Sequence, residues 1–189
     1  MGPASNIHFL NNLILGDGWA DPILNLRTYS NYSTSDYNGF RPNPNAFNAF
    51  EWTSPAFEVA ADYQGKLVTR NFKSLKEYSE ATKQDQHSIL VDYDFFVNAK
   101  IPDKSNPQHL YNPEDFDFRL RPGSAAVDAG ILLPTINDDF TGKAPDLGAY
   151  ESDRPLPHYG PRSWPVGTPD NSAPRSIIGP PHQAPALAK

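Results

Sequence analysis

Residues 118–130 read FRLRPGSAAVDAG, 131–136 read ILLPTI and 137–151 read NDDFTGKAPDLGAYE. This run is dense in turn formers and in hard oxygen ligands. Asn137, Asp138, Asp139, Asp146 and Glu151 lie on two turns joined by Gly142 and Gly148. Such a set suits calcium, which takes six to eight oxygens in flexible geometry, with turn carbonyls completing the shell. Zinc is disfavoured because the stretch holds no His or Cys, and the spacing does not match an EF-hand. The competing reading is that the Asp side chains accept hydrogen bonds from nearby backbone N–H groups and brace turns. That reading suits Asp128 and Asp146 better. The adjacent pair Asp138 and Asp139 favours a cation, since two neighbouring carboxylates repel unless a cation or donors offset them. A metal there would both brace the turns and polarise a water for hydrolysis.

Upstream, the pattern is of short strands and one helix. Ile7–Leu10, Leu13–Leu15 and Ile23–Leu26 are apolar runs divided by Asn, Gly and Pro. Pro42 and Pro44 bar the segment 41–52 from a central strand, because proline lacks a ladder donor. Short strands with Asn at their corners resemble the coils of a solenoid. Ser74 followed by Glu77 is a capping-box pattern, and Leu75, Tyr78, Ala81 and Thr82 fall on one face of a helix over 74–83. HSILVDYDFF at 87–96 alternates as a strand does, which would project Asp92 and Asp94 from the same face. The expected core comprises Ile7, Phe9, Leu13, Leu15, Ile23, Leu24, Leu26, Ile89, Val91, Leu120, Val127 and Leu147.

Composition narrows the function classes. The chain has 189 residues, enough for one domain, with 20 Pro beside 12 Gly. Proline is about twice its usual ~5% share, and aromatics reach 12%. A net charge of −6 without Lys/Arg clusters argues against nucleic acid and anionic membranes as partners. The absence of cysteine removes disulfides, thiol nucleophiles and thiolate metal sites. No apolar run approaches the ~20 residues of a membrane span. The N-terminal MGPASNIHFLNNLILGDG has no basic region ahead of its apolar stretch and makes a poor signal peptide. There is no G-x-S-x-G elbow, H-E-x-x-H, P-loop or G-x-G-x-x-G. The last residues, rich in proline, read as an extended tail or a PxxP-type ligand.

The stretch 118–151 resembles the ending of bacterial right-handed parallel β-helix proteins, which typically close with PGSPAIDAG and D-x-GAYE. Ala125 stands where that motif usually has Pro. SDYNGF at 35–40 and SLKEYSEATKQDQHS at 74–88 resemble later coils of such proteins. The resemblance spans roughly residues 6–162 and implies the pectate-lyase-like superfamily of polysaccharide lyases and glycoside-hydrolase-like proteins, usually secreted. The fold it implies is all-β: a short right-handed parallel β-helix over 1–162, with one α-helix, and a Pro-rich tail over 163–189. Open coils would also favour an end-to-end homodimer.

The function implied by that resemblance is a calcium-assisted hydrolase or lyase acting on a carbohydrate. Asp138, Asp139, Asp92 and His87 are the catalytic candidates, and Asn137, Asp138, Asp139, Asp146 and Glu151 the metal ligands. Glycoside hydrolysis needs two carboxylates about 5–9.5 Å apart, and His87 could serve as a general base, or sit as a capping or surface histidine. A lyase would need a base near a neutralised uronate, for which Arg119, Arg121 and Lys143 are the nearby cations. Trp19, Trp52 and Tyr37 could stack on sugar rings or belong to the core. A calcium-dependent hydrolase of small lactones or esters, such as acyl-homoserine lactones, is a second reading. A non-catalytic carbohydrate-binding or capping module is a third.

Overall fold

The computed structural model describes residues 4–30, 32–56 and 65–156. Contacts divide the chain into Met1–Leu156 and Pro157–Lys189. The described residues all fall in the first unit, so the expected tail at 163–189 and the boundary at 162 lie outside them.

The described residues form ten short strands and one α-helix: β1 (His8–Leu10), β2 (Leu13–Leu15), β3 (Leu24–Arg27), β4 (Thr34–Asp36), β5 (Gly39–Arg41), β6 (Phe50–Ser54), β7 (Val68–Phe72), α1 (Leu75–Thr82), β8 (Ile89–Leu90), β9 (Phe96–Asn98) and β10 (Asp117–Leu120). They form four small sheets, β1-β4, β2-β5-β8, β3-β6-β7 and β10-β9. The β7 strand lies antiparallel to β6, and β10 lies antiparallel to β9.

This mixed arrangement of small parallel and antiparallel sheets corrects the expected right-handed parallel β-helix. Parallel pairing does occur, with His8 opposite Thr34, Leu13 opposite Gly39 and Leu24 opposite Phe50. It reaches a third strand only in β2-β5-β8, where Gly39 lies opposite Ile89, and is cut off in the other sheets among the described residues. The outer edge of β6 is taken by antiparallel β7. The outer edge of β4 meets no strand among the described residues: the Ser35 N–H donates to Gln84 Oε1 at 2.7 Å, and the Ser35 carbonyl accepts from the Asp85 N–H at 2.6 Å. Edge groups satisfied by a side chain or an antiparallel neighbour offer no template for another parallel strand.

Local sequence explains the elements. The β3 strand alternates, with Leu24 and Leu26 buried and Asn25 and Arg27 outward. Helix α1 starts at Ser74, whose Oγ accepts from the Glu77 N–H at 3.2 Å, while Glu77 Oε2 accepts from the Lys73 N–H. Lys83, left-handed at φ 60, ends the helix one residue past Thr82. Its buried face is Tyr78 and Thr82, and Leu75 packs beside the core, whereas Ala81 is exposed.

Two clusters form the core. The larger joins Leu24, Leu26, Phe40, Ala49, Phe50, Trp52 and Tyr78, with Ile7, Phe9 and Ile23 packed against it. Tyr78 is its centre, stacked on Phe50 at 5.1 Å and edge-on to Phe72 at 5.6 Å. The smaller joins Phe96, Leu120, Ala126 and Leu147, with Leu13, Leu15, Ile89 and Val127 around it. Asn38, fully buried, ties the layers together: its amide donates to the Phe9 carbonyl at 2.9 Å and to Asp85 Oδ1 at 3.0 Å.

The expected strand over 87–96 is shorter than its alternation implied. Strand pairing covers only Ile89–Leu90, and Tyr93–Phe95 wind into a 3-10 turn capped by Asp92. Asp92 Oδ1 accepts from the Tyr93 N–H, so Asp92 starts a turn and does not share a strand face with Asp94.

Candidate functional site

The stretch 121–156 contains no strand beyond Leu120 among the described residues and is held together by side chains that bond to backbone. Asp128, left-handed at φ 56, accepts through Oδ1 from the N–H groups of Lys143 and Ala144. A Cβ at Gly142 would come within 2.2 Å of that same oxygen. Glycine is therefore required there both for its positive φ and for the close approach. Asp146, buried, accepts from the Asp128 N–H at 2.8 Å and from the Ser152 N–H at 2.6 Å. Glu151 Oε1 accepts from the Asp146 N–H at 3.0 Å.

This stretch is stitched to the N-terminal strands by Asn11. The Asn11 amide pairs with both backbone groups of Ile131, donating to its carbonyl at 2.7 Å and accepting from its N–H at 2.8 Å. The Asn11 carbonyl also accepts from the Gly148 N–H. Between the two segments lies a cleft of about 390 Å³. Its floor and walls include Asn11, Asn12, Asn137, Asp139, Asp146 and Glu151, and its apolar rim Leu10, Leu133, Ile136 and Tyr150. Four of the five residues read as metal ligands thus meet at one cleft.

Their oxygens, however, are largely engaged. Asn137 Oδ1 accepts from the Leu133 N–H, and its amide donates to the Ile131 carbonyl. Asp138 does not line the cleft and accepts from the Thr135 N–H at 3.1 Å. Asp139 turns to Arg154, whose guanidinium lies 3.5 Å from Oδ2 and also donates to the Asp139 carbonyl. The repulsion between the adjacent carboxylates is offset by these donors. Among the described residues, no three of His, Asp and Glu converge as a metal shell requires. Asn137 Oδ1, Asp138 Oδ2, both Asp146 oxygens and Glu151 Oε1 accept from backbone N–H groups, and the Asp139 carboxylate faces the Arg154 guanidinium.

Glu151 is the exception. Its Oε2 is buried and has no hydrogen-bond partner. Burial pushes the Glu151 carboxyl up, and the charges of Asp146 and Asp139 add to that, against the N–H groups of Asp146 and Thr141. Oε1 is fixed as an acceptor by the Asp146 N–H, which leaves Oε2 as the oxygen without a hydrogen-bond donor.

The remaining candidates lie apart from this cleft. His87 Nδ1 sits 2.8 Å from Asp36 Oδ2, and Asp36 Oδ1 accepts from the N–H groups of both His87 and Tyr37. The imidazole stacks on Tyr37 at 4.7 Å. Asp36 was invisible as a partner, since it lies 51 residues away with no motif linking the two. Asp92 forms an ion pair with Arg41 at 2.6 Å. Slight burial would raise the Asp92 carboxyl, but the Tyr93 N–H and the Arg41 guanidinium outweigh it and hold the carboxyl below the usual range. Of the three cations considered for lyase chemistry, Arg119 is bound to the Asp117 carboxylate, Arg121 donates to the Phe96 carbonyl, and Lys143 contributes its backbone N–H to Asp128. Trp52 belongs to the core, while Trp19 stands outside it.

No family model matches the chain, and no curated protein or solved structure does so either. The likeness of 118–151 to a known chain ending therefore rests on the motifs themselves.

Proposed function

We propose that the cleft between Asn11 and Glu151 is a carboxylate acid–base site that hydrolyses a glycosidic bond in a short saccharide. The observation that carries this reading is the unpartnered, buried Oε2 of Glu151 on a carboxyl whose proton affinity is raised. Glycoside hydrolysis needs one carboxyl that keeps its proton to donate to the leaving oxygen, and a second that acts as base or nucleophile. Glu151 fills the first role. Asp139, an exposed carboxylate beside Arg154 on the same cleft, fills the second. Asp146 is a positioning residue: its N–H fixes Glu151 Oε1, and its carboxylate holds Asp128 and Ser152 in place.

The step is balanced without a metal. The Glu151 carboxyl gives its proton to the glycosidic oxygen as the C–O bond breaks, and Asp139 takes a proton from the water that attacks the anomeric carbon. The walls support it because Asn11 and Asn137 are locked to backbone and do not need to reorder on binding. About 390 Å³ lies at the small end of ligand clefts, which run ~300–1,000 Å³, so the substrate is a short saccharide. The exposed Ile136, with Leu10 and Leu133, favours a second reading in which the rim seats the acyl chain of a small lactone or ester.

A panel of aryl glycosides, oligosaccharides and acyl lactones, tested on the parent chain and on Glu151→Gln, separates these readings. The expected result is glycoside turnover that falls as pH rises through the raised Glu151 value, with a loss of roughly 10²–10⁴-fold in Glu151→Gln. Turnover of lactones alone would shift the conclusion to the second reading. Equal activity in the variant would remove Glu151, and the proposal with it.

A further inference from the structure

We infer that the loop carrying Trp19 is a second carbohydrate-binding surface, at which the indole stacks on a pyranose ring outside the cleft. It shares the carbohydrate class of the proposed function but stands on different residues.

Trp19 is 62% exposed, although an indole in water gives up the burial that tryptophan usually supplies to a core. The loop holding it is nevertheless rigidly built. Asp17 Oδ1 accepts from the Trp19 N–H at 3.2 Å. Asn43 clamps both sides of the loop, accepting from the Gly18 N–H at 2.9 Å and donating to the Asp21 carbonyl at 2.9 Å. Asn45 donates to the Gly18 carbonyl. Gly18 is left-handed at φ +96, and a Cβ there would lie 2.8 Å from the Lys104 ammonium.

Lys104 comes from a distant loop and stands 5.4 Å from the centre of the Trp19 ring and 3.6 Å from Asp17 Oδ1. An exposed indole is thus held in a braced loop, with the Lys104 ammonium over one face of the ring and paired to Asp17, which leaves the other face for a sugar. Two residues beyond Asn45, Phe47 is 80% exposed, giving a second aromatic face on the neighbouring loop.

The chemistry of this frame selects its occupant. A pyranose presents a flat face of C–H groups for the ring and equatorial hydroxyls for neighbouring charged groups. A protein partner would be expected to need a broader apolar centre than one indole ringed by Asp, Lys and Asn. Nucleic acid is disfavoured by the net charge of −6. The immobilised loop also lowers the ordering cost of binding.

The test is a glycan array followed by isothermal titration calorimetry with the oligosaccharides that bind, on the parent, Trp19→Ala and Glu151→Gln. Trp19 is exposed, so its replacement leaves the fold intact, which circular dichroism verifies. Saturable binding that weakens by roughly tenfold or more in Trp19→Ala, as expected for an aromatic anchor, and that persists in Glu151→Gln is the expected outcome. Unchanged affinity in Trp19→Ala, or no glycan bound by the parent, overturns the inference. Loss of turnover in Glu151→Gln with intact binding in Trp19→Ala would leave the cleft reading standing and remove this one alone.

Discussion

The sheet of β3, β6 and β7 with helix α1 and the terminal stretch 121–156 are held by different forces. In the first, Tyr78 sits fully buried between Phe50, Phe72 and Trp52, and the strands and helix exist to bury those rings. In the second, a modest apolar patch of Ala126 and Leu147 is accompanied by a dense set of carboxylates that accept from backbone N–H groups. Burial is non-directional and scales with area, whereas a carboxylate bonded to two amides fixes a backbone path. A site that must hold Glu151 at a defined angle gains from the second kind of construction.

The sharpest way to break this contrast is to delete a ring. Phe50→Ala removes a fully buried side chain that contacts both Phe40 and Tyr78. The expected loss is about 3–5 kcal/mol, the usual range for a buried phenylalanine, read as a lower urea midpoint. A loss below about 1 kcal/mol would mean that the aromatic cluster does not carry the stability assigned to it.

A comparable effect is expected at Asp146. Asp146→Ala leaves the N–H groups of Asp128 and Ser152 without their acceptors in a buried position. Each such orphan costs roughly 1–3 kcal/mol, so the variant should be destabilised by about 2–6 kcal/mol, with faster amide exchange at 128 and 152 than elsewhere. Asp146→Asn retains one acceptor oxygen and should fall between parent and Ala. If exchange at 128 and 152 stays at parental rates, backbone bracing by Asp146 is not what shapes the stretch.

The same contrast explains what was legible in the sequence. The helix was readable because Ser74 and Glu77 act within one turn, and local capping chemistry needs no knowledge of the rest of the chain. Leu24 and Leu26 were expected in the core from the apolar run Ile23–Leu26, and the alternation of β3 turns both inward. Asp128 and Asp146 as turn braces were also legible, because an Asp two residues before a Gly suits a turn. What failed was anything set by pairing between distant segments. Short strands cannot announce whether the next neighbour is parallel or antiparallel, so β7 on β6 and Gln84 on the edge of β4 were hidden. Phe40 and Phe50 fall outside the expected core because their segments have weak periodicity, whereas Tyr78 lies on the expected helix face and only its place at the centre of the core is hidden. At the site, the cluster 137–151 was visible as carboxylates, but the far wall at Asn11 lies 120 residues away from Ile131. The Asp36 partner of His87 was hidden for the same reason.

The smallest effect separates the two regions by pH. Asp85, 2% exposed, belongs to the aromatic half: one of its oxygens accepts from Asn38 and Ser88, and the other has no hydrogen-bond partner. Burial pushes its carboxyl up, with the charge of Asp36 adding, and the donors Ser35, Ser88 and Asn38 oppose this without cancelling it. A carboxyl whose folded value is raised above its unfolded value of ~3.9 binds more protons folded than unfolded. Its contribution to stability is therefore fully present below the unfolded value and is lost as pH rises through the raised folded value. Asp85→Asn removes that dependence, so its melting temperature should gain on the parent steadily as pH is raised from the ordinary carboxylate range towards neutrality. Glu151→Gln should show the same sign with a smaller slope, because Glu151 is only partly buried and its Oε1 is already bonded. Asp92→Asn should show the opposite sign. The Asp92 carboxyl is held low by the Tyr93 N–H and Arg41, so the parent's advantage over this variant exists above the unfolded value and disappears as pH falls through the folded one. That advantage is small, about 0–1 kcal/mol, since the pair is exposed. Melting curves across the acid-to-neutral range for the three variants measure all of this together. Parallel curves for Asp85→Asn and the parent would show that the proton on Asp85 is not coupled to folding, and the aromatic half would then be held by burial alone.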